Sequence, residues 1–234
     1  MKRIIKISLI LLLVGMAVIA AVPFFKEKRT ERKYENEFKN IQESVTEKKS
    51  DVNGLVKKNK DCIGYVEIPG TTISYPVMQT KDKPDFYLNH DFNRNYGFYG
   101  TPYLSAYCDV EKSDNLIIYG HNINGGKMFG ALEQYKDKEF FNKHRKIYFT
   151  THKKMEYEVF AVMIVNIHEF EYWKFVMARD KEEYDEFVDK VEEHSLWRQG
   201  NKPKYGEQML MLSTCDNGKG DDWRIVLIAK CVYS

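Results

Sequence analysis

The stretch that most constrains the fold is a short apolar run that ends in a thiol, residues 209–215 (MLMLSTC). The run is too short for a stable helix and turn-forming residues bound it, so it predicts a buried strand that ends at Cys215. Residues 216–222 are polar and rich in turn formers, and a second apolar run follows from Trp223 to Val232. This pattern predicts a hairpin that returns Arg224 to the side of Cys215.

A second predicted strand ends at a histidine, because residues 115–120 (NLIIYG), which are mostly apolar, lead directly into His121. A thiol attacks a carbonyl only as the thiolate, which a nearby imidazolium or guanidinium favours. His121 can protonate a departing amine, and Arg224, which keeps its charge at physiological pH, can hold a carbonyl and stabilise an oxyanion. Together the three residues predict a nucleophilic site. The competing interpretation is a buried structural thiol and a strand-end histidine bonded to backbone.

These motifs resemble those of the sortases, the membrane-anchored cysteine transpeptidases of Gram-positive cell surfaces, and specifically those of class B. The resemblance is carried by residues 119–122 (YGHN), 212–215 (LSTC) and Arg224, together with residues 63–71 (IGYVEIPGT) and 75–77 (YPV). It runs from about Cys62 to the C-terminus, and the motifs are specific when taken jointly and in this order. The resemblance implies that His121, Cys215 and Arg224 are the catalytic residues.

The resemblance also implies a reaction and its partners. The enzyme would cleave a sorting signal of the Asn-Pro-x-Thr-Asn/Gly or Pro-x-Thr-Gly type after Thr, hold the acyl fragment on Cys215 as a thioester, and pass it to a peptidoglycan amine. Its partners would be surface proteins with a C-terminal sorting signal, a peptidoglycan precursor or cross-bridge amine, and the membrane. Two alternatives stay open: a cysteine endopeptidase with water as acceptor, and an inactive membrane-tethered binding module.

Three further residues are candidates for substrate binding. The resemblance implies a contact between Ser213, two residues before the nucleophile, and the sorting signal. Asn89 is predicted to line the same groove, and Tyr172, in residues 168–173 (HEFEYW), would belong to one wall of it. Each has an equally simple structural interpretation, which for the aromatic segment is ordinary packing.

The rest of the chain predicts a mainly β fold, a closed sortase-type barrel of seven to eight strands. Besides the two strands of the hairpin, strands are predicted at Ile63–Ile68, Thr72–Val77, Tyr103–Ala106, Leu116–Gly120, Lys146–Thr151 and Met155–Ile167. Pro76 predicts an edge strand or a strand end. Asp180 and Glu183 have capping-box spacing, and apolar residues follow at helical intervals, so one long helix is predicted over residues 181 to about 195.

The first 25 residues predict a membrane anchor. Basic residues precede the uncharged run Ile7–Phe25, whose 19 residues would span about 28 Å as a helix. The alternative is a cleaved secretory signal, for which Ala20 and Ala21 are plausible cleavage positions. The orientation comes from the resemblance, which implies a single-pass protein with an extracellular catalytic domain.

Residues 26–60 predict a helical extension between the anchor and a catalytic domain at residues 61–234. An apolar stripe indicates a first amphipathic helix: Tyr34, Phe38, Ile41 and Val45. Residues Ser50 and Asp51 are typical caps for a second helix that would end near Lys60.

Composition and residue spacing argue against two kinds of ligand, nucleic acids and metal ions. The net charge of +2 is nearly neutral and the basic residues are scattered among acidic ones, so no nucleic-acid partner is expected. The histidines and cysteines lack the spacing of a metal site, and no cofactor is expected. We expect the other three cysteines, Cys62, Cys108 and Cys231, to be buried or inert thiols.

Overall fold

The computed structural model describes residues 15–16, 18–26, 28–30, 32–33, 35–36, 39 and 52–233. The chain divides into two compact units, residues 1–43 and residues 44–234. The described residues of the first unit are helical. Within the described ranges no helix has both the length and the apolar character needed to cross a bilayer. Residues 7–14 and 17 of the predicted anchor, the predicted stripe of residues 34, 38, 41 and 45, and the cap at 50–51 lie outside the described residues.

The described part of the second unit is built mainly from strands. They are β1 Cys62–Glu67, β2 Ser74–Met78, β3 Tyr103–Leu104, β4 Asn115–Tyr119, β5 Asn122–Ile123, β6 Lys127–Met128, β7 Lys146–Thr150, β8 Lys154–Asn166, β9 Ser195–Arg198, β10 Met209–Cys215 and β11 Trp223–Tyr233. The α-helices are α1 Val52–Lys58, α2 Lys138–Lys143 and α3 Lys181–Glu193, and 3₁₀ helices cover Phe86–Leu88, Gly130–Lys136 and Tyr172–Lys174.

The strands close into a barrel. The sheet order is β11-β10-β4-β3-β2-β1-β7-β8, and β11 also pairs with β8, so the eight strands form a ring. Strand β9 pairs with residues 161–163 of β8, beyond the stretch 154–158 that pairs with β7, while β5 and β6 form a separate two-stranded sheet. Closure removes the free edges that an open sheet of this size would expose. The predicted mainly β, closed barrel is therefore confirmed.

The strand that carries Cys215 lies in the middle of the core. Strand β10 has β11 on one side and β4 on the other, and every residue of Met209–Thr214 is buried. Burial of each large apolar side chain contributes roughly 1.5–3 kcal/mol, so this run holds its strand firmly in place. Only its last residue, Cys215, is partly exposed.

The long helix forms where it is predicted. Asp180 caps α3 by accepting a hydrogen bond from the backbone N–H of Glu183 at 3.0 Å. The helix ends at Glu193 rather than near residue 195, because β9 begins at Ser195 and pairs with β8. Pro76 is paired with β1 on one side only. On the other side β2 meets β3 only at Met78, which pairs with Tyr103, so β2 is an edge at Pro76. This agrees with the position expected for a proline within a sheet.

Candidate active site

The hairpin of β10 and β11 brings Cys215 and Arg224 together. The antiparallel register pairs the two residues directly opposite each other, as the sequence predicts. On the other side of β10, the parallel ladder with β4 runs up to the pair Ser213 and Tyr119. His121 and Cys215 each lie two residues beyond that pair, at the same end of neighbouring strands. The topology therefore gathers all three predicted catalytic residues at one end of the barrel.

One cavity of about 950 Å³ is lined by all three residues. Its other lining residues are Pro84, Asp85, Leu88, Tyr103, Ser105, Ala106, Tyr107, Tyr119, Gly120, Ile167, Tyr172, Trp173, Lys174, Val176, Ser213 and Thr214. Apolar and aromatic walls around a few polar groups are typical of a ligand site, and the size suits an extended peptide segment.

Cys215 differs from the other cysteines in its accessibility. It is half-buried, is not in a disulfide, and opens on the cavity. Cys62 and Cys108 are buried, and burial raises the pKa of their thiols to about 12 and about 11. At neutral pH both stay protonated, and a protonated thiol is a poor nucleophile. Cys231 is half-buried and also not in a disulfide.

His121 is held by the end of the 3₁₀ helix Phe86–Leu88 and by Phe98. Its Nε2 lies 2.7 Å from the backbone oxygen of Leu88, and the ring of Phe98 stacks on the imidazole with centroids 6.0 Å apart. A carbonyl oxygen can only accept a hydrogen bond, so Nε2 carries a hydrogen in this arrangement. The backbone of Gly100 lies so close to the Leu88 oxygen that only glycine fits there, because a Cβ would be 2.3 Å from that oxygen.

The guanidinium of Arg224 is anchored through one nitrogen. Nη1 donates to the backbone oxygens of Asp221, at 2.5 Å, and Trp223, at 3.0 Å. Among the described residues no acceptor contacts Nε or Nη2. A planar group held in this way keeps a fixed orientation and still offers donors on the cavity side.

The predicted substrate-binding residues Tyr172 and Ser213 form one buried pair. Their hydroxyl oxygens are 2.7 Å apart, and both residues line the cavity. Burial raises the pKa of Tyr172 to about 12, although the bond to Ser213 and the positive charge of Arg224 act in the opposite direction. Tyr172 therefore stays a neutral phenol at physiological pH. Phe170, in the same segment, packs on Phe187 and His194, so the segment combines cavity wall and ordinary packing.

Asn89 does not line the cavity. Its side chain is exposed, and its backbone oxygen accepts a hydrogen bond from Gly97 at 2.9 Å. The preceding residue, Leu88, takes the position on the cavity wall. Asn89 follows the 3₁₀ helix Phe86–Leu88, where side chains do not alternate as they do along a strand. The sequence therefore does not show which of the two neighbouring residues faces the cavity.

Tyr103 and Tyr119 also line the cavity, although the sequence assigns neither of them to substrate binding. Tyr103 donates its hydroxyl to Asp85 at 2.8 Å, and its ring packs on that of Tyr119 with centroids 5.5 Å apart. Burial raises the pKa of both phenols. Tyr119 could have been found from the sequence, because it lies two residues before His121 and side chains alternate along a strand.

The comparisons with known proteins agree with this geometry. A family model described as the Sortase domain matches residues 66–232, most of the chain. This chain belongs to the sortase family. Sortase B of Listeria monocytogenes is 32% identical over 189 residues, which cover 80% of this chain and 76% of that protein. Sortase B of Staphylococcus aureus is 28% identical over 242 residues, which cover 99% of this chain and 98% of that protein.

A solved structure supports the same assignment within the sortase family. The crystal structure of Clostridium perfringens sortase B superimposes with a TM-score of 0.72 at 30% identity, covering 77% of this chain and 98% of that one. The chain is thus a class B sortase, as the motifs indicate. Membership in this family makes it a transpeptidase with a role in cell-wall sorting.

Proposed function

We propose that the enzyme cleaves a sorting signal after Thr through a thioester on Cys215 and transfers the acyl fragment to a peptidoglycan amine. The observation that carries the proposal is the shared cavity of Cys215, His121 and Arg224, with Cys215 and Arg224 directly opposite in the hairpin. The cavity, of about 950 Å³, is large enough for several residues of an extended peptide.

In the first half-reaction the Cys215 thiolate attacks the carbonyl carbon of the Thr residue. The oxygen gains negative charge, and the fixed guanidinium of Arg224 stabilises it through donors that the backbone carbonyls leave unused. The C–N bond then breaks and the new amine takes a proton from His121. Because Nε2 of His121 points to the Leu88 oxygen, the proton that moves is the one on Nδ1.

In the second half-reaction the incoming amine attacks the thioester carbonyl. His121, now neutral, accepts a proton from the amine as the new amide bond forms, and Cys215 leaves as a thiolate. If water takes the place of the amine, the product is a carboxylic acid and the enzyme is an endopeptidase. An inactive binding module would occupy the same cavity without either step.

The test is incubation of residues 26–234 with a panel of sorting peptides, with and without an amine acceptor. We expect cleavage after Thr and, when the amine is present, a transpeptidation product. The Cys215→Ala variant should lose cleavage and keep its thermal unfolding temperature. Cleavage by that variant would refute the assignment of the nucleophile, and equal hydrolysis with and without amine would favour the endopeptidase.

We also propose that residues 1–25 anchor the protein in the cell membrane, that residues 26–60 form a helical extension, and that residues 61–234 form the extracellular catalytic domain. The support is the uncharged run Ile7–Phe25 in the sequence, together with a Sortase domain match that begins at residue 66. Full-length protein should fractionate with membranes at its full mass. Release as a shortened soluble form would instead indicate a cleaved signal.

A further inference from the structure

The backbone ladder between β4 and β10 stops before it reaches the catalytic residues. It ends at Tyr119 and Ser213, and one more backbone bond joins the Gly120 N–H to the Ser213 oxygen at 3.1 Å. Beyond that point the two strand ends are joined through side chains. The separation of His121 and Cys215 therefore depends on side-chain contacts rather than on the sheet.

Asn122, the residue directly after His121, makes the contact nearest to the nucleophile. Its amide Nδ2 donates to the backbone oxygen of Cys215 at 2.8 Å. The same nitrogen also donates to Oε1 of Glu133 at 2.7 Å. An amide has two N–H donors, so one side chain can hold both acceptors at once.

Glu133 extends this contact into a network of ion pairs that leads back to the nucleophile. Its Oε2 lies 2.6 Å from Nζ of Lys136, and that ammonium lies 2.8 Å from Oδ1 of Asp216. Asp216 follows Cys215 in the chain, so the network closes through one peptide bond. We call Asn122, Glu133, Lys136 and Asp216 the clamp.

The buried end of the clamp makes it stiff. Asp216 is fully buried, and Oδ1 also accepts a bond from the backbone N–H of Gly218 at 3.0 Å. Oδ2 has no hydrogen-bond partner among the described residues. A buried carboxylate is costly without a cation, so Asp216 fixes the place of Lys136. Burial acts to lower the pKa of Lys136, but its bonds to Asp216 and Glu133 outweigh this and raise it, so the ammonium stays charged.

We propose that Asn122 is a positioning residue that sets the distance between Cys215 and His121, with the other clamp residues holding its amide in place. This inference rests on the proposed transpeptidase function. A catalytic constellation displaced by about 1 Å can lose on the order of a hundredfold in rate. Asn122 touches the backbone of the nucleophile and neither the thiol nor the imidazole, so its loss should affect the chemical step and leave the cavity walls intact.

The experiment compares Asn122→Ala and Asn122→Asp with wild type, using residues 26–234 and a peptide that wild type cleaves. The matched control is Asn124→Ala, two residues along in the exposed turn after β5 and outside the clamp. The measurements are kcat, KM, the rate of Cys215 alkylation by iodoacetamide, and the thermal unfolding temperature, with activity normalised to titrated thiol.

For both Asn122 variants we expect kcat to fall by at least tenfold, while KM and the alkylation rate change by less than about threefold. Asp has no N–H donor and adds a carboxylate beside Glu133, so its kcat should be at least as low as that of Ala. Asn124→Ala should match wild type. A wild-type kcat in Asn122→Ala would overturn the inference, as would parallel losses of kcat, alkylation and thermal stability. Failure of wild type to cleave any peptide would refute the proposed function instead.

Discussion

Replacement of Arg224 by Lys separates the geometry of the guanidinium from its charge. In the structure Nη1 of Arg224 donates to two backbone oxygens, while no acceptor among the described residues contacts Nε or Nη2. A lysine ammonium is a compact charge on a flexible stem, and it can bond to those backbone oxygens or reach into the cavity, but it cannot do both in a fixed orientation.

The expected magnitude follows from this loss of one oriented donor. Removal of a single oxyanion-hole donor costs roughly 2.7–4 kcal/mol, about 10²–10³ in kcat. The lysine retains positive charge near the site, so part of this stabilisation remains. We expect Arg224→Lys to lose more than about tenfold in transpeptidation rate, which corresponds to about 1.4 kcal/mol of barrier.

The assay pairs peptide turnover with alkylation of Cys215 in the same preparations. Alkylation needs the thiolate but no oriented carbonyl, so its rate should be preserved in Arg224→Lys. The matched control is Arg198→Lys, an exposed arginine in β9 that pairs with Glu192 at 3.3 Å. Near-normal turnover in Arg224→Lys would show that the residue supplies only positive charge. Parallel collapse of both rates would point to a role in ionisation of the thiol.

Three more predictions follow from contacts around the cavity. Tyr172→Phe and Ser213→Ala should each lower the free energy of unfolding in urea by about 1–3 kcal/mol, because each leaves a buried hydroxyl without a partner, and the double variant should lose less than the sum. Gly100→Ala should reduce turnover more than tenfold in the peptide assay, since the new Cβ displaces the Leu88 oxygen that holds His121. Cys62, whose pKa burial raises to about 12, should resist iodoacetamide at pH 8, as mass spectrometry of the labelled protein can establish.

Each of these has a control or a contrary outcome. Strict additivity of the two hydroxyl variants would show that the bond contributes nothing to stability. Gly206 is also left-handed, with φ +91°, but a Cβ added there would meet no atom within 4 Å, so Gly206→Ala tests backbone strain alone. An equal effect of both glycine variants on turnover would contradict the role of Leu88. Rapid labelling of Cys62 in folded protein would show that its site opens readily.

The parts of the fold that the sequence predicts are those set by local patterns. The hairpin with Cys215 opposite Arg224 follows from two apolar runs around a loop of turn formers, and α3 follows from its cap and its apolar spacing. The sequence does not predict strand β9. Its four residues, Ser195–Arg198, are never fully buried, so they carry no run of apolar residues, and they begin two positions after the end of α3. The two-residue strands β5 and β6 are likewise too short to leave a pattern.

The parts of the site that the sequence does not predict depend on distant residues. The Leu88 oxygen is 33 positions from His121, and Lys136 is 80 positions from Asp216. Neither contact has a periodicity or spacing that can be recognised in one sequence. The loop before Leu88 also contains Asp85 in a left-handed conformation, with φ 63°, which is uncommon for any residue other than glycine.

The pairing of β11 determines when the three residues of the site come together as the chain folds. Strand β10 fits between β4 and β11, and β11 is the last described strand to leave the ribosome. Arg224 lies on that strand, opposite Cys215, so the site is incomplete until β11 has paired. The pairing of β11 with β8 spans a longer sequence separation than the β10–β11 hairpin, and such pairing is slower than local hairpin formation. Arg224 therefore reaches Cys215 through the local hairpin, and the pairing of β11 with β8 then closes the barrel that holds both residues in place.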